Sequence, residues 1–210
     1  MAAREKILQR LQDAAARRKP RNAEPDLETP LYIATDLAPV DWFQQNLEKV
    51  GGEVFRVGHL QQAISKLDQL AAQGKWTSVF CRDNLLCEAM RGSLEVKQDE
   101  ASFPALQVSV TRCEFLVAHL GSALICSAEA SGRRMAVYAE NHVIIAHCNQ
   151  LVNYLDEALV GLQDKYGINT MPSSITNITG PSRTADIEKT LIKGMHGPRR
   201  FIILLCDEPF

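Results

Sequence analysis

The chain has 210 residues, 46% of them hydrophobic and 23% charged, with a formal net charge of −2. This is the composition of a soluble globular protein, long enough to bury roughly 70% of its unfolded surface. It contains no run of about 18 apolar residues, so no membrane-spanning helix is expected.

The charge is unevenly spread. Residues 1–21 carry seven basic and two acidic side chains, net +5, leaving −7 for residues 22–210. Such an arm can touch nucleic acid, a membrane surface or an acidic partner; it is read here as a solvated helix, with no nucleic-acid partner expected. No signal peptide is expected, because this stretch lacks a continuous apolar core. The cysteines Cys81, Cys87, Cys113, Cys126, Cys148 and Cys206 include no Cys-x-x-Cys and mostly sit in apolar runs. That suits buried thiols in a reducing cytoplasm. An iron–sulfur cluster wants closely spaced thiolates, so no metal site is expected in this chain.

In chain order, Ile7, Leu8, Leu11, Ala14 and Ala15 form one face of a first helix. Lys19 to Pro30 holds three prolines and reads as a linker. Residues 1–30 are therefore expected to be a basic helix and linker, and residues 31–210 the main domain. Leu31 to Thr35 is a short strand-like run. Asp36 to Val50 is a helix with Phe43, Leu47 and Val50 inward, stopped by Gly51. Glu53 to Val57 is a strand, and Leu60, Ile64, Leu67 and Ala71 repeat at helical spacing up to Gly74. Thr77 to Cys81 is a buried strand, and Asn84 to Met90 a short helix. This alternation predicts an α/β fold, a mainly parallel sheet with helices on both faces.

Leu94 to Pro104 is polar and reads as a surface connection. Apolar runs return at Leu106 to Thr111, Cys113 to Leu120 and Ala123 to Ser127, followed by a turn at Ala128 to Gly132 that leads to Arg134 to Tyr138. Val143 to Ala146 is a buried strand. Leu155, Ala158, Leu159, Leu162 and Tyr166 mark a long helix closed by Gly167. Apolar–polar alternation at Ser174 to Ile178 and the apolar run Phe201 to Cys206 are the last strands.

Between these two strands lies Gly180-Pro181-Ser182-Arg183-Thr184-Ala185-Asp186-Ile187-Glu188, then Gly194-Met195-His196-Gly197-Pro198. Gly180 and Pro181 break the strand. Ser182 or Thr184 then caps a helix whose apolar face is Ile187, Leu191, Ile192 and Met195. Free N–H groups, the positive helix end and Arg183 make this turn a candidate site for a carboxylate or phosphate. An ordinary capped helix fits the same residues, since each acidic residue near the helix start is worth only about 0.3–1 kcal/mol. Asp186 either takes part in chemistry or braces Arg183. His196 is either an acid–base near neutral pH or a turn residue that satisfies backbone groups.

The same stretch resembles the signature of the lactate-utilisation protein C family, the LUD domain. The resemblance is strongest over Thr176 to Leu205 and extends from about Leu106. It implies the fold shared by coenzyme-A transferases and ribose-phosphate isomerases, in which ligands bind beyond the carboxyl ends of strands; Gly180 to Thr184 is expected there. It also implies a cytoplasmic component of L-lactate oxidation to pyruvate, which works with iron–sulfur partner proteins and binds a small anionic ligand. This chain carries neither a thiolate cluster nor a dinucleotide glycine fingerprint, so the redox cofactors are expected in the partners.

Gly121 and Ser122 are a second candidate ligand contact. Many family members have an acidic residue followed by Thr-Gly-Thr where this chain has His119-Leu120-Gly121-Ser122, which removes a shared acid. Glu114 is nearby and reads equally well as a surface residue, and His142, beside a buried strand, reads as structural. The alternative function is a stand-alone enzyme for a phosphorylated or coenzyme-A-linked metabolite; a non-catalytic scaffold is a third reading. The sequence names neither the ligand nor an oligomeric state.

Overall fold

A computed structural model describes residues 3–16, 32, 35–99, 106–130, 134–184, 192–194 and 196–210. Its contacts divide the chain into two units, residues 1–36 and 37–210. In the first, helix α1 spans Ala3–Ala16; the linker expected at Lys19 to Pro30 lies outside the described residues, as does most of Leu31 to Thr35.

The second unit opens with α2 (Pro39–Lys49), whose first-turn proline needs no N–H partner and whose Trp42, Phe43 and Leu47 are buried. Then come β1 (Glu53–Val57), α3 (Leu60–Gly74), β2 (Ser78–Phe80), α4 (Asn84–Ala89), β3 (Glu95–Lys97) and β4 (Val108–Thr111). β5 (Phe115–Val117) and β6 (Ser122–Cys126) lead to α5 (Met135–Tyr138), β7 (Asn141–His147) and β8 (Leu151–Val152). The chain continues with α6 (Leu155–Tyr166), β9 (Ile175–Ile178), β10 (Arg183–Thr184), β11 (Ile192–Lys193) and β12 (Arg200–Cys206).

Six strands form the main sheet in the order β1-β12-β7-β4-β2-β3, and every pairing in it is parallel. β7 and β12 are interior strands, apolar from Val143 to Ala146 and from Phe201 to Cys206, because a parallel strand covered on both faces has no solvent side. One face packs under α3 and α4 through Ile64, Leu67, Leu70, Leu86 and Met90. The other is covered by α2, by Ala136 of α5 and by a second sheet, β8-β5-β6-β9, through Leu116, Ala123 and Ile125. The outer side of that second sheet is closed by Ala158 and Leu162 of α6.

The mainly parallel sheet with helices on both faces is as expected, and three local differences have physical causes. β3 was hidden in a polar run because an edge strand bearing Glu95 and Lys97 needs little apolar character. Arg134 to Tyr138 ends in one helical turn. The strands β5, β6 and β9 pair antiparallel in their own sheet and do not extend the parallel one.

Candidate functional site

β4, β7 and β12 all begin at one edge of the main sheet, and the Gly-Pro-Ser-Arg-Thr turn is tied to that edge. The Ser182 N–H donates to the Pro198 carbonyl at 2.8 Å, and the Gly194 N–H donates to the Ser182 carbonyl at 3.0 Å. Pro198 stands just ahead of β12, so this is the amino edge, which corrects the expected carboxyl-edge position. A turn after a strand lies at the carboxyl edge only when that strand belongs to the parallel sheet, and β9 belongs to the other one.

A second correction concerns the helix. Arg183 and Thr184 are extended and pair with Lys193 and Ile192 in an antiparallel ribbon, so they are not a first helical turn and Ile192 is not on a helix face. Asp186, Ile187, Glu188, Leu191 and Met195 lie outside the described residues. Pro181 is buried, Ser182 and Thr184 are half-buried, and Arg183 is exposed.

A cavity of about 530 Å³ opens at the amino edge, lined by Leu106, Tyr138, Glu140, Gly194, His196, Gly197 and Arg199 among others. The spacing of the two glycines follows from what passes them. A Cβ on Gly194 would stand 2.1 Å from Cγ of Arg199, and one on Gly197 would stand 3.1 Å from Cβ of Ser182. The segment therefore folds closely around Arg199 and Ser182 and leaves His196 exposed at the cavity. Arg199 and Arg200 both donate backbone N–H groups to the Glu140 carbonyl, at 2.7 and 3.3 Å. The Arg199 guanidinium lies 3.4 Å from the Glu140 carboxylate, and both side chains are more than half exposed. Such a pair contributes at most about 1 kcal/mol, so an incoming anion can replace Glu140 on Arg199. Arg200 instead grips Glu53 with two bonds of 2.8 Å and fastens β12 to β1. Sequence reasoning passed over Arg199, although the Arg-Arg pair directly after Pro198 was a legible signal.

The other sequence-predicted cluster does not reach this cavity. Gly121 has φ +58°, and a Cβ there would lie 2.2 Å from the Leu47 backbone nitrogen. On Gly180 it would lie 3.0 Å from Val50 Cγ2. The pairing of Ala123 with Ile178 sets both glycines at the same end of β6 and β9. The close approach they permit is taken up by the end of α2. Ser122 is fully buried, and its hydroxyl has no hydrogen-bond partner among the described residues.

His142 is also fully buried, pushed down to about 3 by desolvation, with Nε2 2.9 Å from the Thr111 hydroxyl. It is a structural histidine, as expected. Glu114 differs from its surface reading: it is buried and accepts from Lys165 at 2.6 Å, Cys126 at 3.1 Å and the Tyr166 hydroxyl. Among the described residues no three His, Cys, Asp or Glu side chains converge as a metal site. Burial pushes the thiols of Cys81, Cys113 and Cys206 upward, which suits packing better than thiolate ligation.

Comparison with known proteins now places the chain. "Lactate utilization protein C 1" of Bacillus mycoides is 25% identical over 167 residues, spanning 79% of this chain and 71% of that protein. "Lactate utilization protein C" of Bacillus subtilis is 28% identical over 123 residues, 58% of this chain and 49% of that one, so the match covers about half of that relative's length. The crystal structure of a DUF162 family protein from Deinococcus radiodurans shares the fold, with a TM-score of 0.62 at 14% identity over 80% of this chain and 96% of that one. The LUD domain profile matches residues 91–206, more than half of the sequence and including every residue of the amino-edge cavity. The chain belongs to the LUD domain family.

Proposed function

We propose that this protein is a component of an L-lactate utilisation system, a subunit that holds a small anionic ligand at the amino-edge cavity while iron–sulfur partner proteins carry the electrons. The observation that carries the reading is that the last part of the family signature, Gly194, His196 and Gly197, lines one cavity together with Arg199. Oxidation of lactate to pyruvate removes two electrons and two protons. Arg199 supplies a guanidinium for the carboxylate, and His196 supplies an imidazole able to accept the hydroxyl proton, while the Cα hydrogen leaves with the electron pair, as a hydride equivalent, toward the redox centres of the partners. The electrons pass to the partners, because the thiols of this chain are not arranged for a cluster.

The test is turnover of L-lactate with an artificial electron acceptor, using the purified chain alone, the iron–sulfur proteins alone, and both together. Reduction that requires both supports the subunit reading. Turnover by this chain alone favours a stand-alone enzyme, the class that would also take a phosphorylated or coenzyme-A-linked metabolite. No turnover in any combination removes the lactate role.

A further inference from the structure

The amino-edge cavity is larger than lactate needs, and part of its wall is apolar. At about 530 Å³ it falls in the range of about 300–1,000 Å³ that ordinarily encloses ligands of drug size, whereas lactate is a three-carbon acid. Arg199 and His196 suffice for a carboxylate and a hydroxyl, so the remaining volume is matched to something else.

The apolar wall comes from α5 and from the approach to β4. Met135 and Ala136 are buried and anchor the single turn of α5. The next two residues, Val137 and Tyr138, line the cavity and are 51% and 58% exposed. Leu106 joins them, with its carbonyl accepting from the Glu140 N–H at 3.3 Å. A single exposed apolar side chain needs no special cause. Several that line one cavity beside a guanidinium form a surface that an apolar body can cover with a gain in free energy.

The charges limit the ligand further. A carboxylate that replaces Glu140 on Arg199 leaves Glu140 itself in the cavity wall, where it repels a second negative charge. The ligand that fits has one carboxylate and an apolar body.

We propose that the amino-edge cavity selects 2-hydroxy acids with an aromatic or branched aliphatic side chain over lactate, with the carboxylate on Arg199 and the side chain on Leu106, Val137 and Tyr138. The inference rests on the reading of this cavity as the ligand site, and it adds which acids that site prefers.

The experiment is calorimetric titration of the full chain with L-lactate, L-phenyllactate and the uncharged diol that corresponds to phenyllactate. Phenyllactate should bind at least about tenfold more tightly than lactate, the lower end of what apolar pocket contacts discriminate. The diol should bind about tenfold more weakly than phenyllactate, because it brings no charge to Arg199. Arg199→Ala should weaken both acids about tenfold. Val137→Asn combined with Tyr138→Asn should narrow the gap between the acids to less than about threefold, and Val137→Asn alone should narrow it in the same direction. Both positions are more than half exposed, so the melting temperature should hold. Equal affinity for the two acids, or a phenyllactate advantage that survives these substitutions, overturns the preference; the site itself still stands if Arg199→Ala weakens both acids. A diol that binds as well as phenyllactate overturns the carboxylate anchor. Acids that fail to bind, or that bind the Arg199→Ala protein equally well, overturn the site and the preference together.

Discussion

The two edges of the parallel sheet are built on opposite principles. Beside the amino-edge cavity the pair is loose: Arg199 and Glu140 meet at 3.4 Å with both side chains more than half exposed, while the neighbouring Arg200 holds Glu53 tightly to fasten the strands. At the carboxyl edge the pairs are short and one member of each is buried, as in Lys165 with Glu114 at 2.6 Å and Arg112 with Asp83 at 2.7 Å. A loose exposed pair contributes little to folding and yields readily to a ligand. A carboxylate withdrawn from water must keep its donors, so its neighbours are fixed before any ligand arrives. The amino-edge cavity is therefore an adaptable part of the domain, and the Glu114 and Asp83 surroundings are preorganised ones.

The largest expected effect tests that contrast directly. Glu114→Ala removes the acceptor of three donors and should cost about 3 kcal/mol, whereas Glu140→Ala should cost less than about 1 kcal/mol. Denaturant midpoints of the two variants measure it, and equal losses would erase the distinction. Next in size is Gly121→Ala, where a Cβ meets the α2 backbone at positive φ. It should destabilise the domain by about 2 kcal/mol or more. A variant that melts normally but no longer binds anions would return Gly121 to the ligand site.

The pH dependence of stability separates buried His142 from half-buried Glu129, whose carboxyl is pushed up by burial and by neighbouring Glu114, and the two act with opposite signs. His142 is depressed to about 3, so the stability it contributes is complete above its unfolded value of about 6.5. That stability is lost as pH falls toward 3, at about 1.4 kcal/mol per unit. Glu129 is raised to about 7, so its contribution is complete below the unfolded carboxylate range and is lost as pH rises through about 7. Thermal melts from pH 4 to 8 should show a falling limb on each side, and Glu129→Gln should flatten only the alkaline one. The smallest effects belong to the exposed arginines. Arg199→Ala should weaken sulfate binding about tenfold, and Arg183→Ala less, since Arg183 stands on the β10–β11 ribbon outside the cavity lining. Both should leave the melting temperature within the range of a neutral surface change, about 0.5 kcal/mol. A stronger loss from Arg183→Ala would move the anion site onto the ribbon.

Much of the fold was legible because burial imposes periodicity. Leu60, Ile64, Leu67 and Ala71 could only be a helix face, and Phe201 to Cys206 a strand covered on both sides. The second sheet was not legible as separate, since the apolar run at Ala123 to Ser127 looks the same in either kind of sheet. That ambiguity moved the Gly180–Thr184 turn to the wrong edge, because the position of the turn depends on which sheet β9 joins. Gly121 shows a related limit: a glycine signals that something approaches closely, and only the fold reveals that it is Leu47. Glu114 stayed undecided between site and surface because its donors, Lys165 and Tyr166, lie more than 50 residues away.

The place of β12 between β1 and β7 has a consequence for how the domain is made. Its first residue, Arg200, holds Glu53 across 147 positions of chain. During synthesis both neighbours emerge from the ribosome long before the strand that must separate them. Until residues 200–206 are free, β1 and β7 present unmatched inner edges that could pair wrongly with each other or with another nascent chain. Completion of the central sheet is thus a late, non-local event, expected to be slow beside the closure of the β5–β6 hairpin. Cells that produce this protein quickly would need chaperone cover over that interval.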